Sequence, residues 1–229
     1  MKIEVFADDE SAARAAAGMV AEEARAAVAA RGRFVIAVSG GRTPWIMMRA
    51  LTGEDVPWGS VHVVQVDERV APEGDADRNL THLRESLLDH TPIRSEHLHA
   101  MPVESPDLET AAEQYASTLR EIAGSPPTLD LAHVGLGPDG HTASLVPGDP
   151  VIGVTHADVA LTGVYQGRRR MTLTYPVINR ARRILWLVTG REKLAMLARL
   201  RDRDPSIPAG GICPEQAVII ADRAAAGDQ

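Results

Sequence analysis

The sequence predicts an α/β fold: an open, mostly parallel sheet with helices on both faces, Rossmann-like in arrangement. Three observations lead there. Short apolar runs alternate with helix-like segments along the chain. Runs such as RFVIAVS (33–39) are apolar toward both faces, as strands covered on both sides must be. No internal repeat or low-complexity linker interrupts the alternation, so 1–229 reads as a single domain, with its last few residues expected to fray.

The elements follow in order. KIEVF (2–6) is a short strand, and residues 9–30 are Ala-rich with strong helix propensity. RFVIAVS is the second strand, and PWIMMRAL (44–51) opens a helix with Pro44 in its first turn. VHVVQVDE (61–68) reads as one strand, NLTHLRESLL (79–88) as a helix, HLHAMP (97–102) as a short connection and DLETAAEQYASTLREIA (107–123) as a helix. LDLAHVGLG (129–137) is a strand, and MTLTYPVIN (171–179) a strand turning into a short helix. RRILWLVTG (182–190) and QAVIIAD (216–222) are strands flanking the helix REKLAMLARL (191–200).

The net charge of −7 argues against a general nucleic-acid binder. The charge is uneven, with eleven Arg or Lys against three Asp or Glu between residues 168 and 204. Such a region attracts an anionic substrate, or is simply a solvated helix face. The single Cys213 allows no internal disulfide and fits a reducing compartment. MKIEVFADDE reads as a strand entering a turn rather than a leader, and the longest apolar run falls short of a membrane span. A cytoplasmic protein with no membrane or obligate protein partner is expected. His97-x-His99 lacks a third ligand at zinc-like spacing, so no metal is expected there.

In parallel α/β sheets the site lies beyond the carboxyl ends of the strands. After RFVIAV comes Ser39-Gly40-Gly41-Arg42-Thr43-Pro44. Glycines let backbone N–H groups approach an anion at a helix N-terminus, and Ser39 and Thr43 add hydroxyls, as in a phosphate cup. Two other readings compete: a tight turn with Thr43 as N-cap, and a nucleophile elbow making Ser39 a hydrolase nucleophile. After VHVVQV comes Asp67-Glu68-Arg69, either a surface ion-pair cluster or site residues with Arg69 on a phosphate. Arg170 starts a strand, and Lys193 sits one turn into a helix facing the same sheet edge, where it is a phosphate partner or ordinary helix solvation.

The stretch HVGLGPDGHTASLVPG (133–148) matches the dinucleotide fingerprint G-x-G-x-x-G by count. That fingerprint needs a long helix after its last glycine, and Pro147 and Pro150 end any helix within about two turns. The better reading is a Gly-rich loop presenting His141 as a general base, supported by Asp139; an Asx-type turn with an exposed His is the plain alternative.

Together the segments VSGGRTP (38–44), VDERVAPEGDADRN (66–79), LDLAHVGLGPDGHTASLVPG (129–148), RRRMTLTYPVIN (168–179) and LWLVTGREK (185–193) resemble the 6-phosphogluconolactonases. These belong to the wider glucosamine-6-phosphate deaminase/isomerase group. IPAGGI (207–212) is a weaker match. The resemblance implies an open parallel α/β sheet and hydrolysis of 6-phosphoglucono-δ-lactone to 6-phosphogluconate, the second step of the oxidative pentose phosphate pathway, without metal or organic cofactor. By position, it implies His141 as the base activating water, Asp139 as its support, and Arg69, Lys193 and the Ser39–Thr43 loop as holders of the phosphate. Two positions depart from the family pattern: Arg78 before Asn79, where Ser is usual, and Val146, where Phe is usual. The related deaminases resemble the chain in the Asp-Gly-His loop but carry Tyr at the Arg69 position and Glu at the Val146 position. Asp67, the counterpart of the deaminase base, is retained.

Overall fold

Six of the runs read as strands, and a two-residue strand inside the HLHAMP stretch that reads as a connection, assemble into one parallel sheet. In the computed structural model, which describes residues 1–227, the sheet contains β1 (Lys2–Phe6), β2 (Phe34–Val38), β3 (Val61–Gln65), β5 (Leu98–His99), β6 (Leu131–Val134), β9 (Arg183–Val188) and β10 (Ala217–Asp222). Their spatial order is β1-β10-β9-β6-β2-β3-β5, and every neighbouring pair is parallel. From β2 the chain winds outward through β3 to β5. It then returns to β6 and winds the other way through β9 to β10. The winding reverses between β2 and β6, and a crevice opens there at the carboxyl ends of the strands.

Strand alternation divides the core in two. Phe34, Ile36 and Val38 of β2 face one side, where α1 (Asp9–Arg31), α2 (Arg42–Leu51) and α3 (Asn79–Ser86) pack. Val35 and Ala37 face the other side, against α4 (Leu108–Ala123), α5 (Tyr175–Arg180) and α6 (Leu194–Arg201). Helix α1 begins in a capping box between Asp8 and Ser11 and ends at Gly32. Its buried stripe is almost all alanine, including Ala12, Ala13, Ala16 and Ala17. Such small side chains let the helix axis approach the sheet closely.

The run 61–68 is not one strand. At Val66 the chain changes sheets: the Val66 N–H donates to the Val38 carbonyl at 2.9 Å, and the Val66 carbonyl accepts from Leu173 N–H at 2.8 Å. Asp67–Arg69 then form β4, which pairs antiparallel with β8 (Arg170–Leu173), itself paired antiparallel with β7 (Val159–Leu161). This second sheet of three strands sets Arg69 directly opposite Arg170. The expected fraying concerns the chain end, and residues 228–229 lie outside the described residues. Up to Gly227 the chain forms α7 (Arg223–Ala226), capped by Asp222.

Candidate active site

The crevice at the winding reversal holds a cavity of about 180 Å³. Ser39 and Gly40 enter it from the end of β2, Asp67 and Arg69 from β4, His141 from the loop after β6, and Arg170 from β8. An adjoining recess of about 470 Å³ lies along Gly41, Thr43 and Glu192. Gly40 and Lys193 face both spaces. Seven of the ten residues expected from sequence therefore line the first cavity, with Gly41 and Thr43 in the recess and Asp139 behind His141.

The loop after β6 contains no helix of the kind a dinucleotide fingerprint requires; residues 141–149 are turns and an isolated bridge. Asp139 and His141 form its reactive pair. His141 Nδ1 lies 2.6 Å from Asp139 Oδ1, which also accepts the His141 backbone N–H at 3.1 Å. An ionised carboxylate only accepts, so Nδ1 carries the proton and Nε2 keeps its lone pair. Gly137 is required by close approach: a Cβ there would overlap the His141 ring. Burial alone would raise the Asp139 carboxyl, but hydrogen bonds from the His141 backbone and ring, the imidazole's charge and the Tyr165 hydroxyl hold it below its ordinary value.

Asp67 is buried, and its Oδ2 accepts from Ser144 Oγ at 2.5 Å. Asn79 Nδ2 donates to the Asp67 carbonyl at 2.9 Å and lies 3.5 Å from its carboxylate. Arg170 is buried too, bonded to Gln166 at 3.2 Å and to Ser144 Oγ at 3.5 Å. Burial pushes its guanidinium below the ordinary value, with Asp67 opposing. Arg69 Nη1 donates to the Asp77 carbonyl at 2.7 Å and to Asn79 Oδ1 at 3.0 Å. The Nε atoms of both arginines are buried without a partner. Two guanidiniums with spare donors, joined by Lys193, make the cavity a receptor for an anion.

Gly40 packs against Asn79 and Trp45, and a Cβ would overlap the Asn79 amide. The Ser39 backbone N–H donates to His133 Nδ1 at 3.3 Å. Among the described residues no imidazole hydrogen-bonds Ser39 Oγ, so the base that a serine nucleophile needs is not beside it. Thr43 is not the N-cap of α2; Gly41 is, and Thr43 Oγ1 instead meets Thr189 Oγ1 at 2.5 Å. Lys193 closes a 3-10 turn (Arg191–Lys193) rather than sitting inside a helix, and α6 starts after it.

Glu68 does not reach the cavity. Fully buried, it accepts backbone N–H groups of Arg69, Asn79 and Leu80, each at 2.8 Å, and so caps α3. Arg78, one of the two departures from the family pattern, lies behind the site at 3.2 Å from Glu68 and also contacts Glu104. Val146 is buried in the core, away from the cavity lining. His97 belongs to a 3-10 turn (Ser95–His97), not to a strand with His99. Its ring stacks on His62 with centroids 4.0 Å apart, and His62 Nδ1 lies 3.1 Å from His99 Nε2. Among the described residues no group of three or more His, Cys, Asp or Glu is placed to hold a metal ion.

The sequence motifs give no role to Asn79, His133, Ser144 or Tyr165. Asn79 and Ser144 lie inside the segments that carried the resemblance; Tyr165 lies outside them and gave no signal.

The family model for glucosamine-6-phosphate isomerases/6-phosphogluconolactonase matches residues 7–221. A 6-phosphogluconolactonase of Synechocystis is 38% identical over 84% of this chain and 83% of its own length. One of Mycobacterium tuberculosis is 37% identical, with 98% and 96% covered. The crystal structure of a 6-phosphogluconolactonase from Thermotoga maritima superposes with a TM-score of 0.84 at 26% identity, covering 96% of this chain and 98% of that one.

Proposed function

Since the chain belongs to the glucosamine-6-phosphate isomerase/6-phosphogluconolactonase family, we infer that it works as a lactonase with His141 as its base. It hydrolyses 6-phospho-D-glucono-1,5-lactone to 6-phospho-D-gluconate, the second step of the oxidative pentose phosphate pathway. The observation that supports the site assignment is the 2.6 Å Asp139–His141 pair in a cavity lined by Arg69, Arg170 and Lys193.

The 6-phosphate docks against Gly40, Arg69 and Lys193, with Ser39, Gly41 and Thr43 shaping the loop beneath. The adjoining recess carries both signs of charge, with Asp9, Glu192 and Asp222 beside Arg42 and Lys193. Fixing the remote phosphate holds C1 beside His141, which raises the effective concentration of the reacting groups. His141 Nε2 takes a proton from water as the water oxygen bonds to C1. The tetrahedral oxyanion then collapses, the bond from C1 to the ring oxygen breaks, and protonated His141 gives its proton to that oxygen. Asp139 fixes the tautomer and balances the transient imidazolium. Asp67, held by Ser144, balances the charge of Arg170.

No step uses a metal or organic cofactor, nucleic acid or an obligate protein partner. Among the described residues no helix is long and apolar enough to cross a membrane. We propose one working domain over residues 1–229, acting in the cytoplasm. The test is a coupled assay with freshly generated 6-phosphogluconolactone, corrected for spontaneous hydrolysis. Turnover above that background is expected; its absence, or ammonia release from glucosamine 6-phosphate instead, would overturn the assignment.

A further inference from the structure

Beyond β7 and β8 the two strands continue as a short arm. Tyr165 and Arg168 face each other in an antiparallel bridge, closed by Gln166 and Gly167 with φ of 51° and 80°. Positive φ at both central residues is the signature of a tight hairpin turn whose twist suits its strands. Arg168 clamps the arm to the loop before α3, bonding Asp75 at 3.1 Å and Asp77 at 3.0 Å. The arm is thereby held over the site.

Tyr165, on this arm, meets three site residues at once. Its hydroxyl donates to Asp139 Oδ2 at 3.0 Å, the oxygen that His141 leaves free. Its ring packs edge-on against the His141 ring, with centroids 5.5 Å apart and planes at 70°. The Arg170 guanidinium lies 4.9 Å from the centre of the same ring. Tyr165 is absent from the cavity lining, so it acts through these neighbours rather than on the substrate.

We propose that Tyr165 is a positioning residue of the lactonase reaction, locking the Asp139 carboxylate in the plane of the His141 imidazole and seating Arg170 by cation–π contact. A carboxylate held by only one oxygen can swivel about its Cβ–Cγ bond. The phenol removes that freedom and draws part of the negative charge away from the imidazole. The burial of Tyr165 and its bond to Asp139 raise the phenol above its ordinary value, so it stays a donor through the neutral range.

The inference rests on the lactonase reading above, and the test separates the two. Tyr165→Phe keeps the ring and loses the donor. Its kcat should fall about tenfold with KM unchanged, as expected for one lost hydrogen bond to a charged group. The acid limb of the kcat/KM profile should move to higher pH, because an undiluted Asp139 charge favours the protonated pair. The low-field Nδ1 proton of His141, read by NMR in the free protein, should shift or broaden. Tyr165→Ala should in addition raise KM, as Arg170 loses its seat. Unchanged kcat, acid limb and Nδ1 signal in Tyr165→Phe would overturn the proposal, as would a change in melting temperature alone. If wild-type protein turned over no lactone, the lactonase reading would fall, while the Nδ1 signal would still decide whether Tyr165 holds the pair.

Discussion

At the scale of single residues, the site divides its work between a proton-handling pair and a set of cations, and each can be removed separately. His141→Ala should lower kcat about a hundredfold or more while KM changes little, since base catalysis is typically worth about 10² to 10⁴. Steady-state kinetics with near-normal turnover would remove His141 as the base. Arg69→Ala should raise KM for the phosphorylated lactone about tenfold or more, the scale of one charge-assisted bond, and leave unphosphorylated gluconolactone unaffected. Equal damage to both substrates would mean that Arg69 does not hold the phosphate. The pair was legible in the sequence because Asp139 and His141 sit two residues apart in one loop whose glycines and prolines leave room for little else. Tyr165 was not, because it reaches Asp139 across 26 residues through a hairpin that composition does not mark.

At the scale of elements, the second sheet is what the apolar pattern could not disclose. VHVVQV runs into Asp67-Glu68-Arg69 with no Gly or Pro to signal a break, and a three-residue strand has too few positions to show a period. Just after the switch at Val66, the buried Glu68 ties β4 to α3 by satisfying the start of that helix from within. Glu68→Gln weakens the charge-assisted bonds that the buried carboxylate accepts from three backbone N–H groups and from Arg78, which keeps Glu104 as a partner, and should cost about 1.5 to 3 kcal/mol of stability. Urea denaturation checks this; an unchanged midpoint would show that the carboxylate's charge is not needed to hold β4 against α3. By contrast, six strands of the seven-stranded sheet were legible as apolar runs, whereas β5, only Leu98–His99, is too short to stand out from the connection around it.

At the scale of the whole molecule, pH acts through histidines that the fold keeps neutral. Burial lowers His133, on β6 with its ring accepting the Ser39 N–H, to about 4, against an ordinary value of 6.5. Between those values the unfolded chain binds the proton and the folded chain does not. The stabilisation is therefore complete above pH 6.5 and is lost as pH falls toward 4, by about 3 kcal/mol for His133 at the low end. His62 acts in the same direction: burial, then the nearby His97, His99 and Arg33, lowers it to about 4. Chemical denaturation at pH 7 and pH 4.5 should show the loss, and His133→Asn should reduce the slope. An equal slope in the variant would place the acid sensitivity elsewhere.

The order of strands also bears on how the protein comes into being. Among the described residues, β1 has β10 as its only sheet neighbour, although it precedes β10 by about 200 residues and every other strand of the sheet is made between them. During synthesis β1 must wait with its backbone unpaired while the central strands between β3 and β9 assemble. Closing the β1 side of the sheet thus waits until residues 217–222 have been made. A chain halted before residue 217 would already carry both Asp139 and His141, yet would expose the two strand edges that β10 normally joins.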